Sequence, residues 1–122
     1  MSSRPEQLRD RTKNFALRVI RLFRSLPYRT DTQVLGKQLL RCGTSVAANY
    51  RAVCRARSKA EFIAKIGVVA EEADEAVLWL ELLIESGIIT PDKASELLAE
   101  ARELAAIFTA SQQTSRKTAK MW

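Results

Sequence analysis

Histidine is missing altogether from this 122-residue chain, and its absence removes much of the chemistry open to a small protein. Catalytic dyads and triads with an imidazole base cannot be built, nor can the paired Glu-x-x-His sites that hold two metals inside helical bundles. Glycine and proline are scarce, with 4 and 3 copies. The prolines, Pro5, Pro27 and Pro91, fall where helices would start or stop, so long uninterrupted helices are permitted and an all-β fold is disfavoured. Cysteine occurs twice, as Cys42 and Cys54. On one expected helix these lie about 18 Å apart at ~1.5 Å per residue, too far to bridge, so both are read as reduced thiols and Cys42 as a small core residue. No apolar run approaches the roughly 18 residues of a membrane span, and the start, Met1-Ser2-Ser3-Arg4-Pro5-Glu6, lacks the apolar stretch of a secretory signal. A cytoplasmic protein without membrane association is expected.

What is present is helical periodicity. Leu8, Thr12, Phe15, Val19, Leu22 and Leu26 repeat at steps of four and three and predict a first helix from about Glu6 to Leu26, stopped by Pro27. Thr30 and Gln33 have the spacing of a capping box, after which Leu35, Leu39, Cys42, Val46, Asn49 and Val53 mark a second helix. Its middle, Gly43, Thr44, Ser45, Ala47 and Ala48, is thin, which suits close approach of another backbone. Asn49 on the apolar stripe is expected to fix register against a neighbouring helix. A third helix opens at the Ser58/Glu61 capping box, runs on Phe62, Ile66, Val69, Ala73, Ala76, Leu80 and Leu83, and ends at Gly87. Its second half is apolar beyond one face, with Val77, Leu78, Trp79, Leu82 and Ile84 outside the stripe, as expected of a helix that is either central to the fold or covered by another subunit. A fourth begins at Thr90-Pro91-Asp92 and buries Ala94, Leu97, Leu98, Ala101, Leu104, Ala105 and Phe108. Beyond it the chain turns polar, and Arg116, Lys117 and Lys120 lack acidic neighbours; residues 112–122 are read as a flexible basic tail, with Trp122 at its end, behind a bundle domain of residues 1–111.

Charge divides the chain. Residues 1–60 carry 14 Lys+Arg against 3 Asp+Glu, and residues 61–122 carry 6 against 11. On the second helix Lys37, Arg41, Thr44, Ala48, Arg51 and Arg55 form a stripe beside the apolar one. On the first, Arg11, Asn14, Arg18 and Arg21 repeat in step. Aligned cations of this kind can track the phosphates of a nucleic acid, and Arg57 in the following link extends them. The competing explanation is neutralisation by the acidic helices. No aromatic platform for stacking unpaired bases is evident, because most aromatics sit on apolar stripes. The one dense carboxylate group is Glu71-Glu72-Ala73-Asp74-Glu75. Glu71, Asp74 and Glu75 can share one side of a helix and bind a divalent cation or act as an acid/base pair, or they can pair with Arg or Lys of a neighbouring helix and face solvent.

The stretch Gln38-Leu39-Leu40-Arg41-Cys42-Gly43-Thr44-Ser45-Val46-Ala47-Ala48-Asn49-Tyr50-Arg51-Ala52, followed by Ser58-Lys59-Ala60-Glu61-Phe62-Ile63 and by Glu71-Glu72-Ala73-Asp74-Glu75 to Trp79-Leu80, resembles the bacterial four-helix bundle family, also called 23S rRNA intervening-sequence or S23-like proteins. The resemblance spans roughly residues 10–110. It implies a small cytoplasmic bundle, assembly as a ring-like pentamer, and no assigned activity for most members. A related branch, the accessory protein of diversity-generating retroelements, is thought to bind nucleic acid and a reverse transcriptase. The family's frequent Glu-Gly after the Asn segment is here Arg51-Ala52-Val53-Cys54-Arg55, a more basic variant.

The expectation is therefore an all-α, antiparallel up-and-down four-helix bundle that self-assembles and is not an enzyme, with no cofactor, metal or small-molecule substrate. It would meet copies of itself through Leu78, Trp79 and Leu82. It would bind RNA or DNA through Arg11, Arg18, Arg21, Lys37, Arg41, Arg51, Arg55 and Arg57, or serve instead as a protein-interaction scaffold without nucleic acid.

Overall fold

The computed structural model of the chain describes residues 3–120; Trp122 and the side chain of Lys120 lie outside what it describes. Four helices follow one another, α1 (Arg4–Ser25), α2 (Thr30–Val53), α3 (Lys59–Glu85) and α4 (Pro91–Lys120), joined by short links. Each packs on the next, and α4 returns to α1. The contacts run in opposite directions along each pair. Arg41 of α2 meets Glu72 and Glu75 of α3, and Gln112 of α4 reaches the Ile63 carbonyl of α3. The fold is the antiparallel four-helix bundle that four amphipathic stripes require in order to leave water together.

The predicted stripes become the core. Phe15, Val19, Leu39, Val46, Val69, Ala73, Leu80, Leu104 and Phe108 are fully enclosed, and Tyr50 and Phe108 close one end with ring centroids 5.2 Å apart. Close approach of α1 to α2 depends on glycine. A methyl group at Gly43 would lie 2.9 Å from both γ-carbons of Val19, and one at Gly36 2.8 Å from the Leu26 Cδ1. Larger residues there would push α2 away from α1.

Helix ends follow their local chemistry with some departures. Ser3 caps α1 by accepting the Glu6 N–H at 3.3 Å, and Pro5 sits in the first turn. Ser58 caps α3 by accepting the Glu61 N–H at 3.0 Å. Gly87, at φ +80°, takes the left-handed conformation that stops α3 without a Cβ clash. The capping box expected at Thr30 and Gln33 does not form. The preceding Arg29 occupies the cap with no side-chain bond, and Asp31 accepts the Thr32 N–H at 2.8 Å instead. Nor does Asn49 reach another helix; its amide donates to the Ser45 carbonyl and hydroxyl on its own helix.

The C-terminal boundary also moves. α4 does not stop at 111 but continues to Lys120, with Gln112 lying over Gly67 of α3 and Ser115 buried. Only a residue without a side chain at position 67 leaves room for that amide. A polar stretch reads as a tail, yet a helix already propagating needs only one such foothold to extend.

Candidate nucleic-acid interface

α2 presents its basic stripe outward, with Lys37, Arg41, Ala48 and Arg51 exposed and Thr44 half-buried, and Arg55 is exposed just past its end. One of these cations is committed elsewhere. Arg41 spans to α3, bonding Glu72 at 3.2 Å and also Glu75, while the Trp79 indole N–H donates to the same Glu75 carboxylate at 3.3 Å. Arg41 and, far from it in sequence, the acidic patch and Trp79 are thus one network across the α2–α3 seam. It also settles how the acidic cluster divides. Glu72 and Glu75 face Arg41, and Glu71 and Asp74 stand in solvent, so the expected grouping of Glu71, Asp74 and Glu75 is not the one that assembles.

Behind the network lies Cys42, wholly buried, with its Sγ and the two carboxylates within 4.8 Å of one another. Burial pushes its thiol up to about 11, so near neutral pH it is a protonated core group. Arg41 pairs with both Glu72 and Glu75 and offsets part of their charge.

On α1 the expected cationic stripe turns the other way. Arg11 bonds Glu100 of α4 through two nitrogens, at 2.6 and 3.2 Å, and lies 3.2 Å from Glu103. Hydrogen bonding to Glu100 raises the Arg11 pKa further. Arg18 and Arg21 line a cleft against α4 that also holds Asp92 and Glu96. Arg57, fully in solvent, leans toward Glu61 at 3.8 Å. The neutralisation of basic by acidic helices is therefore real for Arg11 and Arg41.

A different set remains unneutralised. Between α1 and α2 opens a cleft of about 570 Å³ lined by Arg9, Asp10 and Lys13 of α1 and by Thr44, Ala47, Ala48 and Arg51 of α2. Its three cations make no ion pair among the described residues, and Asp10 is its single acid. The small residues that looked suited to helix packing serve two purposes: Gly43 meets Val19, whereas Thr44, Ala47 and Ala48 floor the groove. Arg9 and Lys13 were not in the expected set. They stand one turn apart on α1, but periodicity alone does not say which flank of α1 faces α2.

The aromatic inventory also changes. Tyr28, in the α1–α2 link, is 92% exposed and lines a second cleft with Arg29, Thr30, Gln33, Val34 and Lys37. Leu78 and Leu82 of α3 are exposed at 47% and 39%, with Trp79 half-buried beside them. None of the helices, among the described residues, is long and apolar enough to cross a membrane.

These features define a small helical bundle with an apolar α3 flank and a basic α1–α2 flank. Over residues 6–110 the chain matches the 23S rRNA-intervening sequence protein family, and it belongs to that family. It is similar to a crystal structure of a protein of unknown function from the S23 ribosomal protein family of Bacteroides thetaiotaomicron, with 33% identity and a TM-score of 0.79 over 86% of this chain and 97% of that one. No curated protein matches the chain.

Proposed function

We propose that this protein is a non-catalytic, self-assembling bundle of the cytoplasm that binds RNA or DNA along the α1–α2 cleft. The observation that carries the reading is the cleft itself: Arg9, Lys13 and Arg51 converge on a floor of small side chains, with no ion pair to any acid among the described residues. A phosphodiester backbone fits such a groove. Its phosphates take up the cations, and the small floor lets the sugar-phosphate chain approach the helix closely. Binding of this kind is insensitive to sequence and strongly sensitive to salt. Arg55 and Lys37 extend the track along the same ridge, and Arg11 and Arg41 hold the bundle together.

A salt-titrated binding assay with structured RNA tests this. The wild-type chain binds at low salt, with affinity falling steeply as salt rises, and Arg9→Glu, Lys13→Glu and Arg51→Glu in combination abolish binding while the helical signal stays unchanged. Absence of binding at low salt, or binding indifferent to these charge reversals, leaves the protein-interaction scaffold as the better reading. That alternative draws on the exposed Leu78 and Leu82, which offer another protein surface an apolar ridge on α3.

A further inference from the structure

The most exposed aromatic ring of the described residues stands on a link held by backbone hydrogen bonds and by one buried side chain. Leu26 is buried and donates its N–H to the Phe23 carbonyl at 3.1 Å, Arg29 donates to Pro27 at 3.1 Å, and Gln33 donates to Arg29 at 2.8 Å. Pro27 further restricts the backbone just before the ring. The Leu26 side chain is wedged against Gly36, locking the link onto α2. Tyr28 is thus held out by an ordered turn, and it leaves unburied an aromatic surface that folding normally removes from water.

Its surroundings have one chemistry. The cleft beneath it, about 410 Å³, is lined by Arg29, Lys37 and the apolar Val34, with Thr30 and Gln33 as hydrogen-bonding groups. Asp31 sits beside Arg29 at 3.8 Å, so Arg29 is partly offset, whereas Lys37 has no ion pair among the described residues. Lys37 also begins the ridge that continues through Arg41, which Glu72 and Glu75 hold, then Thr44, Ala48 and Arg51, to Arg55 just past the end of α2. From Val34 to Val53, where α2 ends, is about 28 Å along the helix at ~1.5 Å per residue. An aromatic face beside the unpaired Lys37, with the free Arg51 and Arg55 farther along the same side, suits a nucleic acid with an unpaired base. The base stacks on the ring and the chain's phosphates follow the ridge.

We propose that Tyr28 is a stacking platform for an unpaired nucleotide, making the α1–α2 face selective for single-stranded or looped nucleic acid over continuous duplex. This rests on the nucleic-acid reading above and adds to it a preference for unpaired strands that cations alone do not confer.

The test uses the full chain, a fluorescent twelve-nucleotide single-stranded RNA, the DNA of the same sequence, and a blunt RNA duplex, all at low salt. Tyr28→Ala is expected to weaken both single strands about 5- to 150-fold, the fold-change of one base–aromatic stack, and to leave duplex binding unchanged. Tyr28→Phe retains single-strand binding, because the ring and not the hydroxyl stacks. Unchanged single-strand affinity in Tyr28→Ala, with binding still abolished by the Arg9, Lys13 and Arg51 reversals, overturns the stacking role and leaves the nucleic-acid reading standing. Failure of the wild-type chain to bind any of the three probes overturns both. A Tyr28→Ala variant that changes sedimentation without changing affinity makes the ring a contact between copies and also sinks the proposal.

Discussion

At the scale of single residues, the buried groups that can ionise are held neutral by their surroundings. Cys42 is fully enclosed, and burial pushes its thiol from an ordinary value near 9 up to about 11. Tyr50 packs against Phe108, and burial, followed by the neighbouring Cys54 thiol, pushes its phenol from 10 up to about 12. For an acid whose folded pKa is raised, the unfolded chain loses its proton first. The stabilisation is complete below the unfolded value and disappears as pH rises toward the folded one. Stability should therefore fall between about pH 9 and 11 through Cys42, by roughly 1.4 kcal/mol per pH unit for a group ionised only in the unfolded chain, with Tyr50 adding to the fall from about pH 10. Thermal melts followed by circular dichroism from pH 8 to 11 check this. Cys42→Ala should flatten the earlier part of the decline, and an equally steep decline in that variant would contradict the assignment.

At the scale of the elements, α4 carries the clearest departure from sequence expectation. Ala94, Leu97, Ala101, Leu104 and Phe108 recur with helical spacing and are all buried, so the body of the helix was legible. The polar run after Thr109 carries no such pattern. It stays helical because Gln112 donates to the Ile63 carbonyl at 3.4 Å, in space that Gly67 leaves open, and Ser115 finds cover. Ending the chain after residue 111 should lower stability by about 1–2 kcal/mol, the magnitude of a lost partly buried hydrogen bond and its packing. Urea unfolding of the shortened chain measures it; an unchanged midpoint would return these residues to the status of a tail. The α1–α2 pair shows the complementary case. Its core contacts were readable from the stripes, but the cleft beside them exists only because Gly43 turns toward Val19 while Ala47 and Ala48 turn outward.

At the scale of the whole molecule, the division of charge has two outcomes. Where a basic helix lies beside an acidic one, the cations are consumed in the seam, as Arg11 is by Glu100 and Arg41 by Glu72 and Glu75. Where the two basic helices lie beside each other, Asp10 is the single acid of the cleft and forms no ion pair with Arg9, Lys13 or Arg51 among the described residues, so these cations stay available. The opposite flank of the bundle leaves Val68, Leu78 and Leu82 exposed on α3, a surface another subunit would cover. Leu78→Glu with Leu82→Glu should shift the protein to a monomer in analytical ultracentrifugation while the far-ultraviolet spectrum stays helical. A wild-type chain that sediments as a monomer at all concentrations would remove self-assembly from the proposed function.

Sequence by itself determined the helices and the fold class, because apolar residues at steps of three and four have one economical way to leave water. It also determined that the chain splits into a basic and an acidic half, and the Arg, Asn, acidic and Trp elements gave away the family. Tertiary structure alone decided which cations are free. Residues two places apart on α1, Arg9 and Arg11, end on different flanks of the helix, one facing α2 and a groove, the other facing α4 and a carboxylate. Periodicity fixes the inward face of a helix but not which neighbour stands on either side, and the availability of a charge depends on that neighbour.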